Sequence, residues 1–454
     1  MKMISTIGFS LLLWLSTVTN PYTEDKASED VRQFVTLVDY SSIAKKETAL
    51  KYIKQHWEDS FEIMAVEVIY FKYDTTTGFD LLDILQEKTG LKYGYDFNKW
   101  YEYLWNKPQV LHKDYHIFKS KLHKSIDPRF DYYFRDRQEQ SLIRLDEIRW
   151  GGVVQDGIPP LRDPEMISAE EATYLKDDHV VFGIAVNGDV RAYPKRILAW
   201  HEMFTDTVGG EKVAGVYCTL CGTVILYKTE VDGIHHKMGT SGFLYRSNKL
   251  MYDEDTQSLW STLDGKPVVG PLVGLGIEFD YLSVVTTTWG EWKQRHPNTK
   301  VLSLNTGHRR NYGEGVAYKD YFSTDELMFN VPQLSKALKN KASILALKFE
   351  NEKPLAVAVD FLKENPLYKG KHGKASFLVL TDRSGANRVY DTSGSQFDHY
   401  DQDKTLTDTE GKQWTVYEDR LENESGQTIS RLSSFNAFWF GWKAAYPNTR
   451  LIKK

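Results

Sequence analysis

The chain has 454 residues, with 57 Lys and Arg against 62 Asp and Glu and a net charge of −5, so it carries no overall electrostatic footprint for nucleic acid. Hydrophobic residues make up 41% and charged residues 26%, with 31 Gly and 14 Pro, which excludes a disordered or collagen-like chain and predicts about three folded units at roughly 150 residues each. The only two cysteines stand three positions apart, Cys218 and Cys221, which excludes a disulfide framework and leaves one local site to explain.

The N-terminus reads Met1-Lys2-Met3, then an apolar stretch from Ile4 to Val18, then Thr19-Asn20-Pro21 before charge resumes at Glu24. This predicts a signal peptide over residues 1–20 and an exported protein, periplasmic, extracellular or surface-associated. The apolar run is short for a membrane span and no second run of about eighteen apolar residues follows, so no transmembrane segment is expected after cleavage.

From residue 30 to 145 the spacing is helical. Leu50, Ile53, Trp57, Phe61, Met64 and Val68 recur every three or four positions, one apolar stripe on a helix. Further helices are expected at Leu81 to Lys88 and Phe97 to Trp105. No chemical motif occurs in this region, which reads as a helical accessory domain.

At Gly151-Gly152 the texture changes, and Asp156-Gly157-Ile158-Pro159-Pro160 supplies turn chemistry. Short β-rich runs follow at Val180 to Val186, Val190 to Tyr193, Val213 to Tyr217 and Thr223 to Tyr227, with Asn187-Gly188 a two-residue hairpin signal. An internal repeat is visible further on. Trp289, Trp292, Pro297, Asn298 and Thr299 match Trp439, Trp442, Pro447, Asn448 and Thr449 at a constant offset of 150. Upstream, Gly222 and Tyr227 match Gly385 and Tyr390 at an offset of 163, which sets Cys218 on Thr381, Cys221 on Ser384 and His201 on Glu364. The expected fold is therefore α+β: a helical N-terminal domain, then two tandem β-rich mixed α/β repeats over residues 150–330 and 340–454. The second copy lacks thiols, so the chemistry belongs to the first.

Cys218-Thr219-Leu220-Cys221-Gly222 lies between β-branched runs, so the cysteines are expected in a tight turn between antiparallel strands, with Gly222 free to take positive φ. Three readings stay open. In one, Cys218, Cys221 and His201 are ligands of a soft or borderline ion, copper or zinc. Glu202 would then orient His201, although neighbours on a strand point apart. In another, the pair is a metal-free thiol enzyme or disulfide-redox site with His201 tuning it. In the third, the polar series from Thr240 to Trp260 makes a surface module for a ligand. Inert buried thiols are the bland counterpart of the first two. His235 and His236 read as ordinary surface or core histidines, and ordinary turns account equally well for the polar series. No phosphate-cradling loop or nucleophile elbow occurs, so no nucleotide cofactor is indicated.

The motifs Asn187 to Pro194, Trp200-His201-Glu202, Asp206 to Gly210, Tyr217 to Thr223, Gly239 to Gly242, Met251-Tyr252-Asp253 and Ser258-Leu259-Trp260 together resemble the bacterial Domain-of-Unknown-Function 3179 family. Asp156 to Pro159, Gly270 to Leu272, Thr288-Trp289 and His296-Pro297 share the same pattern. The resemblance spans about residues 150 to 330 and continues into the degenerate second copy. It implies an exported bacterial protein and brings no reaction; partners are expected to be a small molecule or another exported protein.

Overall fold

A computed structural model describes residues 27–108, 111–135, 140–392 and 394–454. The expected signal peptide lies outside the described residues.

Seven α-helices occupy the described part of the N-terminal region: Glu29–Val38, Ile43–Gln55, Phe61–Phe71, Thr76–Thr89, Phe97–Asn106, Tyr115–Lys124 and Phe130–Phe134. Their ends follow side-chain capping: Ser28, Thr75 and Asp96 each accept a backbone N–H of the first turn, and Gly90 closes its helix at φ 72°. The stripe from Leu50 to Val68 is carried by two helices, because the chain turns at residues 56–60. Helix Phe61–Phe71 is buried almost all round, Glu62 and Glu67 included. Glu67 meets the Lys119 ammonium at 2.6 Å, the kind of pairing that makes a buried charge tolerable.

Past residue 147 the chain is largely β, in several sheets. One sheet, ordered 148–150, 238–245, 248–253, 259–261, 266–269, turns Phe243, Leu250, Tyr252 and Leu259 into the core of the N-terminal helices. Alternation along each strand sends Met238, Met251 and Trp260 to the opposite face. The Asn187-Gly188 hairpin forms between Val180–Val186 and Asp189–Pro194, with both turn residues at positive φ.

Two core sheets have the same layout. In the first, Val284–Thr288, Val180–Val186, Asp189–Pro194 and Lys300–Leu302 pair antiparallel, antiparallel and parallel. In the second, Ser434–Phe438, Ser343–Leu347, Leu355–Ala358 and Arg450–Ile452 do the same. Helices Trp289–Arg295 and Trp439–Ala445 bridge matching strands. The landmarks spaced by 150 have a physical role here: Trp292 donates its indole N–H to Thr299 Oγ1 at 3.0 Å, and Trp442 donates to Thr449 Oγ1 at 2.9 Å. Each threonine in turn donates to a carbonyl of the central hairpin region, Val190 or Pro354.

Candidate functional site

Strand Glu211–Cys218 pairs antiparallel with Thr223–Lys228, and Cys218 faces Thr223, so the second cysteine lies in the connecting turn. Gly222 holds φ 59° there, and a Cβ on it would fall 2.7 Å from the Phe438 ring. Both conformation and space therefore require glycine. The turn is packed from the far end of the chain: the Phe438 N–H donates to the Cys221 carbonyl at 2.6 Å, and Gly441 approaches so closely that a Cβ there would sit 3.3 Å from the Cys221 sulfur.

Both cysteines are free thiols, and their settings differ. Cys221 is fully buried and donates to the Ser247 carbonyl at 2.9 Å. Burial pushes its thiol well above the usual range, and the Cys218 sulfur beside it acts in the same direction. Cys218 is 3% exposed. The neighbouring Cys221 thiol holds the Cys218 thiol below its ordinary value, helped by the N–H groups of Lys249 and Cys221 and opposed by burial and the Glu202 charge.

Cys218 lines a cavity of about 60 Å³. Much of the wall is apolar, including Val153, Ile158, Leu244 and Phe329, while Glu202, Lys249, Tyr318 and Thr240 bring polar atoms. Glu202 takes the left-handed conformation at φ 56° that ends helix Lys195–His201. That turn carries its carboxylate inward, where it accepts from Thr219 Oγ1 at 2.6 Å, Tyr318 Oη at 2.9 Å and Lys249 Nζ at 2.8 Å. An acid and an ammonium this deeply buried are compatible only as a pair with further donors.

The three residues expected as metal ligands are not gathered into one group. His201 is buried with both ring nitrogens engaged, Nδ1 with the Pro159 carbonyl at 2.8 Å and Nε2 with Tyr312 Oη at 2.6 Å. Burial lowers its pKa to about 4, so the ring is neutral near pH 7. Its Nδ1 then donates to Pro159 and its Nε2 accepts from Tyr312. Among the described residues, no three His, Cys, Asp or Glu side chains converge as a metal-holding group. Glu202, expected to steady His201, pairs with Lys249 instead. His235 lies in a short two-stranded ribbon, and His236 packs beside Trp260 and Phe279 at 5.2 and 5.8 Å.

The polar series downstream is largely hydrogen-bonded within the fold. Asp253 accepts from Thr256 and the Trp260 indole, Ser241 donates to the Leu250 carbonyl, and Asn248 donates to the Gly441 carbonyl. Sequence reasoning passed over Lys249 and Tyr318. A signal for Lys249 existed, a lone cation in the buried strand Asn248–Asp253; Tyr318 stands in irregular chain between the two core sheets and offered none.

The second half has a corresponding hairpin, Ala375–Thr381 with Asn387–Asp391, in which Thr381 faces Asn387. Thr381 matches Cys218 in closing its strand, and Glu364 ends its helix as His201 does. The turn is one residue longer, so the offset changes from 163 before it to 164 after it, and the matches of Tyr227 with Tyr390 and of Cys221 with Ser384 are not held by strand pairing. Here the polar groups are Asp382 and Arg388, joined at 2.7 Å, with Glu418 beyond.

A family model described as Protein of unknown function (DUF3179) matches residues 155–449. No curated protein and no solved structure matches the chain. Among the described residues no helix is long and apolar enough to cross a membrane.

Proposed function

Because this chain belongs to the DUF3179 family, whose match takes in the cysteine turn, we propose that Cys218 and Cys221 form a redox-active dithiol, with Cys218 the reacting thiol and Cys221 the resolving one. The observation that carries this reading is their asymmetry. Cys218 lines the cavity, whereas Cys221 is absent from its wall, fully buried, and gives its thiol proton to the Ser247 carbonyl, which are the settings an attacking and a resolving thiol require. In the test, reduced full-length protein is alkylated at neutral pH and mapped by mass spectrometry, then compared with protein treated with a mild oxidant. The reading expects Cys218 to be modified first and the oxidised chain to lose both free thiols without dimerising. Equal labelling, or two thiols that persist after oxidation, overturns it.

A second reading, favoured by the place of both thiols at one strand end and its turn, keeps them as ligands of a soft ion, copper or zinc. His201 would join only by releasing Pro159 and Tyr312. Elemental analysis of anaerobically purified protein tests this, and full metal retention in Cys218→Ser sinks it. The two core sheets of equal strand order favour reading residues 150–330 and 340–454 as tandem copies behind a helical domain at 30–145. The N-terminal sequence favours export.

A further inference from the structure

The size and walls of the cavity beside Cys218 restrict what can reach that sulfur. We propose that its oxidant is a small hydroperoxide, hydrogen peroxide or a short alkyl hydroperoxide, admitted past Met328. This rests on the dithiol reading and narrows it to one substrate class.

A space of about 60 Å³ has room for roughly four to six water-sized groups, at about 10–15 Å³ each. A peptide disulfide or glutathione disulfide must bring its own sulfur into line with the Cys218 sulfur, and neither fits there while Cys218 is 3% exposed. Met328 is the most exposed residue of its wall, at 54%, while Gly151, Val153, Ile158, Gly242, Tyr318 and Phe329 are half-buried. The neighbouring segment is tied down, since Ser247 Oγ donates to the Phe329 carbonyl and Tyr321 Oη to the Leu220 carbonyl. The mouth is therefore placed by the fold.

The polar side of the cavity suits the chemistry of an O–O bond. Lys249, salt-bridged to Glu202 at 2.8 Å, and Tyr318 line the same cavity as Cys218, so a developing alkoxide there meets a cation and a hydroxyl. In the first step the Cys218 thiolate attacks the terminal oxygen: an S–O bond forms, the O–O bond breaks, and the alkoxide takes a proton to leave as water or alcohol. Cys218 is then a sulfenic acid. In the second step the Cys221 sulfur attacks Cys218, an S–S bond forms, and hydroxide leaves as water with the Cys221 proton. Two thiols and one hydroperoxide give one disulfide, one alcohol or water, and one water.

The experiment uses full-length reduced protein and follows free thiols and intact mass after addition of hydrogen peroxide, cumene hydroperoxide or glutathione disulfide at equal concentration. Hydrogen peroxide is expected to close the disulfide at least about tenfold faster than either bulky oxidant. Cys221→Ser is expected to stop at a mass one oxygen higher, on Cys218. Met328→Trp, which narrows the mouth, is expected to slow peroxide while leaving the rate of the unfolded chain unchanged. If glutathione disulfide or cumene hydroperoxide is as fast as peroxide, the small-oxidant proposal falls and the dithiol reading stands. If no oxidant closes the disulfide, both fall. A peroxide rate no greater than that of the same chain unfolded in urea also overturns the proposal.

Discussion

Glu202 and Lys249 show how much a single buried pair can govern. Each is nearly inaccessible, 6% and 5% exposed, and each depends on the other for its charge. Lys249→Met leaves the Glu202 carboxylate with only hydroxyl partners, so a loss of about 3–5 kcal/mol is expected, read from urea midpoints; the double variant Glu202→Gln with Lys249→Met is expected to recover a large part of it. A histidine makes a second prediction at this scale. The His201 pKa is lowered to about 4 by burial, and burial also drives His123, against the Lys119 carbonyl, well below its ordinary range. The unfolded chain takes up these protons near pH 6.5 and the folded chain does not, so stability is full above pH 6.5 and falls as pH drops from there toward 4, by up to about 1.4 kcal/mol per unit for each group. Urea titrations at pH 7 and pH 5 check this, and His201→Gln is expected to flatten part of the slope. The residues themselves explain what could be foreseen. The thiol turn was legible because β-branched runs flank it and Gly222 follows it. The direction of His201 was not, because the left-handed turn at Glu202 reverses which of the two neighbours faces the cysteines.

Among the elements, the paired Trp-to-Thr locks do most to hold the core sheets to their helices. The Trp292 ring lies on the strand so closely that a Cβ at Gly183 would fall 2.3 Å from it. Gly183→Ala must displace that ring and is expected to cost about 1–3 kcal/mol, measured by thermal denaturation, with a shift in tryptophan fluorescence. Trp442→Ala removes a fully buried indole and its bond to Thr449, and about 3–5 kcal/mol is expected. These locks were readable in the sequence as a strict spacing of 150, since that spacing is set by contacts between a helix and the strand after it. The hairpins were less readable. One extra residue in a turn leaves composition untouched but slips every later match by one, which is why the equivalence of Cys221 with Ser384 rested on the least stable part of the repeat. The helical stripe expected from Leu50 to Val68 is shared by two helices, which is possible when the turn between them keeps the faces aligned.

Across the whole molecule, the halves are joined by polar contacts as well as by apolar surface. Lys348 reaches Asp264 at 2.7 Å, Thr287 meets Ser384 at 3.0 Å, and His296 Nε2 stands 3.4 Å from Glu418, the carboxylate that Arg388 and Arg431 hold from within the second half. Arg388→Met leaves buried Asp382 without its cation and takes one of two arginine partners from Glu418, and the expected loss of about 3–5 kcal/mol should register in the first half too: thiol exposure at Cys218 and Cys221 is expected at the same urea concentration as loss of far-UV signal from the β region. A thiol transition well above the other would show the halves unfolding independently. None of these joints was visible in the sequence, because polar residues 84 to 122 positions apart leave no periodic trace.

The bond from Phe438 to the Cys221 carbonyl bears on how portable the site is. An excised hairpin, even one extended to include Glu202 and Lys249, would retain both sulfurs and the ion pair, but it would lose the aromatic ring against Gly222 and the glycine backbone against Cys221, since both come from the final helix region. A transplanted loop or a chain truncated ahead of Phe438 would thus present ordinary, solvent-facing thiols. The proposed reactivity would belong to the closed assembly, and engineering it into another scaffold would mean moving both halves together.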